Sequence, residues 1–211
     1  MNKIIGETSY KQTAFGIIPR SQLIPLEVEG IRKAWDFVLQ CDNDGKLPLS
    51  TAFLKKVHKE GFGWIFPEIG GLFRTIDVSV SQHTPPKSYL VPQLMEDFIK
   101  DTSARIHHLP DTRNEMFLDE IVTLLAWAHH RFVWIHPFQD YNGRIGRILS
   151  NIILLLLKLP PIELKIETAS GRRRYIEALH QADHHSYEKL EVLFKKALIE
   201  AVNSIEKGGL K

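Results

Sequence analysis

Cysteine is almost absent from this chain: Cys41 stands alone among 211 residues. A single thiol closes no internal disulfide, and such usage fits a reducing compartment. Cys41 itself reads as a small apolar residue bound for the interior. Long hydrophobic runs are missing too. The stretch from Ile152 to Leu157 is too short to span a bilayer and reads as part of a core helix. The N terminus has no apolar secretory core, so a cytoplasmic location without membrane contact is expected. Neither sign of charge dominates; the net charge of +2 makes no global electrostatic case for nucleic acid. There is no internal repeat and no low-complexity tract. What remains is a chain of 44% hydrophobic residues, long enough for one globular domain with a proper core.

The apolar residues recur mostly at helical spacing. Phe117, Ile121, Leu124, Leu125, Ala128 and Phe132 follow three- and four-residue steps, the period of an amphipathic helix. Pro137 stops that helix. Asn142 is a good N-cap for the next, in which Ile148, Leu149, Ile152, Ile153, Leu155 and Leu156 run on to Pro160-Pro161. Further helices are expected over 27–40, from Ser50 or Thr51 to about Glu60, and over 92–103, 171–183 and 187–206. The fold class is therefore all-α. Ile76, Val78 and Val80 alternate with polar residues, which is strand periodicity. Pro85-Pro86 breaks it, and a second extended piece through Tyr89 to Val91 would complete a small hairpin. We divide the chain into an arm (1–24, containing Gly16 and Pro19), a domain (25–206) and a tail (207–211).

The segment from His136 to Arg147 carries the chemistry. His136 titrates near neutral pH and suits a general base for an attacking hydroxyl. Asp140 offers a hard oxygen ligand for Mg²⁺, an ion that commonly bridges substrate phosphates. Phe138, apolar between polar neighbours, reads as the anchor of the loop. Arg144 and Arg147 share one face in the first turn of a helix, beside unpaired N–H groups and the positive end of the dipole. Two cations there make sense around a phosphate. Taken singly, each residue has a bland reading: a helix-terminal histidine, a turn-forming aspartate, solvated arginines. Their combination is harder to dismiss. Other temptations are weaker. Asp42 to Lys46 lacks the later ligands of a calcium loop. His180 and His184 have zinc-ligand spacing without the zincin glutamate. Arg172 to Arg174 reads as a solvated helix start that keeps a nucleotide role open.

This segment resembles the signature of the Fic/Doc family, His-x-Phe-x-(Asp/Glu)-Gly-Asn-Gly-Arg-x-x-Arg. His136, Phe138, Asp140, Asn142, Gly143, Arg144 and Arg147 match; Tyr141 stands where the pattern has glycine. Gly71-x-Phe73-Arg74, the stretch from His83 to Pro92, and Arg174-Tyr175 through Ala182-Asp183 are similar to further family segments. The resemblance implies a Fic-like helical bundle with a β-hairpin flap, and transfer of AMP from ATP to a Tyr, Ser or Thr hydroxyl of a target protein. It implies ATP as substrate with Mg²⁺ on Asp140. Asn142 and Gly143 would supply an anion hole, and Arg144 and Arg147 would hold the phosphates. The target would dock on the flap near residues 75–91. Transfer of another nucleotide or phosphate group, or a catalytically impaired regulatory protein, are the alternatives; the family's phosphate-transferring members carry Lys at the place of Gly143. Tyr141 would narrow the site, change the nucleotide, or point to solvent. At a positive φ it would cost of order 1 kcal/mol. Family inhibitory helices end in Glu-Gly or Glu-Asn, so Glu29-Gly30 suggests a Glu29–Arg147 pair in a resting state, with a separate antitoxin as the other route. A homo-oligomer is compatible with all of this.

Overall fold

The computed structural model describes residues 10–80, 83–110 and 115–208. A hairpin of β1 (Tyr10–Thr13) and β2 (Gly16–Pro19) comes first. It is followed by α1 (Arg20–Asn43), α2 (Thr51–His58), α3 (Val91–His107), α4 (Glu115–Ile135), α5 (Asn142–Leu156), α6 (Ala169–Ala182) and α7 (Glu188–Gly208). The first nine residues of the expected arm, and residues 209–211 of the expected tail, lie outside the description.

The centre is the seam between α4 and α5. Ile121, Leu125, Phe132 and Ile135 face Ile145, Leu149, Ile152 and Ile153, all without solvent exposure. Each such side chain contributes ~2 kcal/mol of transfer free energy, so this seam holds the domain together. α3 and α7 pack on α4, while α1 and α2 pack on α5. Ser50 caps α2 by accepting the Phe53 N–H, and Thr168 caps α6 by accepting that of Gly171.

Two elements differ from the sequence-based expectation. α1 begins at Arg20 and runs through Pro25, well before the expected start at residue 27. Proline's fixed φ suits a helix, and the one hydrogen bond it removes lies near the N-terminal end. Leu23, Glu27, Gly30, Ala34 and Val38 form the buried stripe of this helix. Gly30 sits where α1 meets a single π-helical turn, Lys59–Gly63, at backbone contact; a Cβ there would lie 2.4 Å from the Gly61 carbonyl oxygen.

The two-stranded hairpin is found at residues 10–19, within the expected arm. The Ala14 N–H donates to the Ile65 carbonyl, and Phe15 meets Trp64 edge-on. The 76–91 segment, expected to be the hairpin, holds a single bridge among its described residues, between Val80 and His83. Pro85 and Pro86 have no N–H to give a ladder, and Arg74 competes for its acceptors. The buried Arg74 guanidinium donates to the carbonyls of Ile76 and Pro86, taking acceptors that a ladder would need. The same group donates to the carbonyls of Ile135 and His136, at 3.3 and 2.8 Å. One side chain thus joins both stems of the segment to the end of α4.

His58 performs a similar joining from α2. Its Nδ1 accepts the Gly71 N–H at 3.0 Å, and its Nε2 donates to the Asp140 carbonyl at 3.3 Å. Burial lowers its pKa to about 4, against a smaller opposite pull from Asp140. The neutral ring is the form that fits, because a proton on Nδ1 would oppose the Gly71 N–H.

Two outcomes are expected. Arg74→Ala strands several carbonyl oxygens and should lower the unfolding free energy by ~3 kcal/mol or more. Arg74→Lys should recover little of it, since one ammonium cannot reproduce the planar fork; urea unfolding of both variants checks this. The second concerns acid. Unfolded chain takes up a proton at His58 below about pH 6.5, while the folded protein resists until about pH 4. The stability His58 contributes is therefore intact above pH 6.5 and declines by ~3 kcal/mol as pH falls to 4. His129, lowered by burial to about 3, acts in the same direction. His58→Gln should be less stable at pH 7 yet lose less between pH 6.5 and 4; equal losses would contradict the assignment.

Candidate functional site

The loop joining α4 to α5 is tightly constrained. His136 (φ 52°) and Tyr141 (φ 66°) both occupy the left-handed region, one at each end. Between them Phe138 is fully buried, its ring stacked on His58 at 4.0 Å. Asn142 does not cap α5 as its residue type suggests; Tyr141 holds the cap position. The Asn142 carboxamide turns back instead, accepting the Phe138 N–H at 2.8 Å and donating to the Phe138 carbonyl at 2.7 Å. This leaves the first N–H groups of α5, those of Asn142 and Gly143, without intrahelical acceptors.

His136 is oriented by the end of α4. A carbonyl can only accept, so the 3.2 Å contact between Nδ1 and the Val133 oxygen places the ring proton on Nδ1. Nε2 then keeps its lone pair. Burial lowers the pKa to about 4, helped by the charge of Arg74, so the ring is neutral at pH 7. Asp140 is exposed at the turn; one carboxylate oxygen accepts the Tyr141 N–H at 2.7 Å. The other lies 3.8 Å from the Lys11 ammonium of β1, a weak exposed contact. Among the described residues no group of three His, Cys, Asp or Glu side chains could hold a metal by itself. A single accessible carboxylate fits Mg²⁺ all the same, because that ion takes one or two carboxylates and completes its shell with water and phosphate oxygens.

Arg144 and Arg147 lie between two cavities. One, of about 550 Å³, brings them together with His136, Asp140, Asn142 and Gly143, and adds Arg172, Tyr175 and Leu179 from α6. The other, of about 500 Å³, is lined by Ile31, Trp35, Ile162 and Leu164. Arg147 is backed by a directed chain of hydroxyls. Ser150 donates to the Gly146 carbonyl, so it accepts from His129 Nδ1. His129 Nε2 therefore accepts the Tyr175 O–H at 2.7 Å. That leaves a Tyr175 lone pair for the neighbouring Arg147, whose charge burial otherwise disfavours.

The expected Glu29–Arg147 pair is not found. Glu29 lies on the outer face of α1 and pairs with Arg32. The carboxylate that reaches the site is Glu27, which is 3% exposed. Its Oε2 accepts from Arg144 at 2.8 Å, and its Oε1 accepts from Arg20 at 2.8 Å and from the Tyr141 hydroxyl at 3.0 Å. Burial alone would raise the Glu27 pKa; Arg144, Tyr141 and Arg20 outweigh it and hold the group below the ordinary value. The sequence carried a signal for this. Glu27 falls in register with Leu23, Gly30, Ala34 and Val38, whereas Glu29 falls outside that stripe. Tyr141 does not point to solvent; its ring is buried and stacked on Phe62 at 3.9 Å and 5°.

The Fic/DOC family model matches residues 48–154. The protein adenylyltransferase Fic of Nematostella vectensis is 29% identical over 82% of this chain and 38% of its own length. The protein adenylyltransferase fic-1 of Caenorhabditis briggsae is 34% identical over 64% of this chain and 24% of its own. The chain thus spans well under half of these relatives. Among solved structures, a Fic-domain signaling protein from Bacteroides thetaiotaomicron aligns with TM-score 0.70 and 20% identity, covering 84% of this chain and 70% of that one. BepC of Bartonella tribocorum, solved with bound AMPPNP, aligns with TM-score 0.65 and 15% identity, covering 90% and 93%. The matched region contains the α4–α5 loop and its arginines, and the chain belongs to the Fic/DOC family.

Proposed function

We propose that this protein transfers AMP from ATP to a hydroxyl side chain of a target protein, with release of pyrophosphate. The observation that carries this reading is His136. It is neutral, tied through Nδ1 with the Nε2 lone pair kept, and it lines the cavity that also holds Asp140 and both arginines. The names of the relatives and the AMPPNP-bound neighbour support the same chemistry.

In this mechanism Arg144 and Arg147 grip the phosphate chain against the N-terminal end of α5. The N–H groups of Asn142 and Gly143 face the charge that develops on the α-phosphate. His136 Nε2 removes the proton from the incoming hydroxyl. The hydroxyl oxygen bonds to the α-phosphorus as the bond to the β-phosphate bridging oxygen breaks, and pyrophosphate leaves with that electron pair. Asp140 would hold Mg²⁺, which when bound neutralises charge on the phosphates. Catalysis rests on positioning and electrostatics, since the protein forms no covalent bond in this scheme.

The target hydroxyl reaches His136 past the 75–91 segment. Ile76, Tyr89 and Leu90 are exposed there, and its neck is fixed by Asp77, which accepts from Lys87 and from the Ser88 N–H. A docked extended peptide would find generic backbone affinity and side-chain selection on such a surface.

The test uses Mg²⁺ with ATP labelled separately at the α- and γ-phosphates, in a cell lysate. Label from α-labelled ATP alone should remain on protein, and His136→Ala should reduce it by ~100-fold or more. Label from γ-labelled ATP would mean phosphate transfer and overturn the reading. Label from a different nucleotide alone would keep the chemistry and change the substrate.

A further inference from the structure

Tyr141 occupies a position where its residue type is unfavourable. Its φ of 66° places a bulky side chain in the left-handed region, where glycine is at ease. Such a conformation persists only where the surroundings over-determine it. Here they do so on three sides. Phe62 stacks on one face of the ring at 3.9 Å, the Arg144 guanidinium lies 5.0 Å from its centroid, and the hydroxyl donates to Glu27 at 3.0 Å.

Glu27 in turn is the only hydrogen-bonded side-chain partner of Arg144 among the described residues. A guanidinium carries five donors; Glu27 orients this one through Nη2, and the buried Nη1 is left without an acceptor. The contact with Glu27 is single, because Oε1 is occupied by Arg20 and Tyr141.

Resting on the reading that Arg144 binds the phosphates of ATP, we propose that Tyr141 is a positioning residue for that binding. Its hydroxyl fixes the Glu27 carboxylate and its ring flanks the guanidinium, so that Arg144 is held in place at the cavity wall. The tyrosine replaces the freedom of the pattern's glycine with a rigid strut between α1 and the loop.

Tyr141→Phe keeps the ring, the stacking and the backbone strain, and removes the O–H. Its melting temperature should stay within ~4 °C of wild type. Its dissociation constant for MgATP, measured by calorimetry, should rise by about three- to tenfold, the scale of one lost hydrogen bond in the network. In the transfer assay the loss should appear in KM for ATP, with kcat at saturation nearly retained. Glu27→Gln should also weaken ATP binding, and the double variant should be no weaker than Glu27→Gln alone, because both changes cut one path. Unchanged ATP affinity in Tyr141→Phe overturns the proposal while leaving the transferase reading intact. Tighter ATP binding by Glu27→Gln also overturns it, by making the cluster a restraint on Arg144. A wild-type protein that binds no ATP overturns the functional reading and this inference together.

Discussion

The site depends on one closure, the paired hydrogen bonds between the Asn142 carboxamide and the backbone of Phe138. Residues 138 and 142 are thereby held as the two ends of a turn. Two residues take positive φ around this closure, His136 just before the turn and Tyr141 within it. Phe138 then has one place to go, into the pocket formed by His58, Phe73 and Phe132. The distance between the histidine on α4 and the arginines on α5 follows from this short loop and from the packed seam of the two helices. Neither element can shift without opening the Asn142 pair or unstacking Phe138.

Electrostatics impose the second constraint. Arg20, Arg144, Arg147 and Arg172 all line one cavity, beside the positive end of α5. Concentrated cations repel one another and resist burial, so an empty site of this kind opposes folding unless something offsets it. Glu27 supplies a buried negative charge to Arg144 and Arg20. Tyr175, fed by the His129–Ser150 chain, supplies a neutral oxygen near Arg147. The two arginines are thus supported differently, one by an anion and one by a dipole. The buried His129 and the half-buried His136 both have lowered pKa values and stay neutral, so neither adds a positive charge beside these arginines.

Much of this architecture is legible in the sequence, for physical reasons that also mark the limits. The α4 and α5 patterns are long and strongly periodic, so burial alone dictates helix. The loop between them is compact enough that its functional groups are adjacent in sequence as well as in space. What fails is long-range or competitive. Asn142 has the residue type of a cap, but the Phe138 backbone outcompetes the helix for its carboxamide. The alternation at residues 76–80 promises a strand, but Arg74, a residue distant from the pattern's logic, takes the carbonyls that a ladder would pair. At Glu29-Gly30 the structure shows Glu29 paired with Arg32 on the outer face, and a backbone contact with Gly61 that requires Gly30. The carboxylate that matters, Glu27, was marked by its place in an apolar stripe.

Tyr141 shows how these levels join. Judged locally, tyrosine at φ 66° is a defect costing ~1 kcal/mol or more. Judged by packing, its ring is buried against Phe62 and contributes ~2 kcal/mol, which offsets the strain. Judged by charge, its hydroxyl stays protonated, because burial and then the Glu27 carboxylate push its pKa upward, and a protonated hydroxyl is the form that can donate to Glu27. A glycine at this position leaves the loop to be shaped by the Asn142 closure alone. With tyrosine, α1, the π-helical turn and the start of α5 are bound into one unit, and rigidity at Arg144 follows from the residue least suited to its backbone.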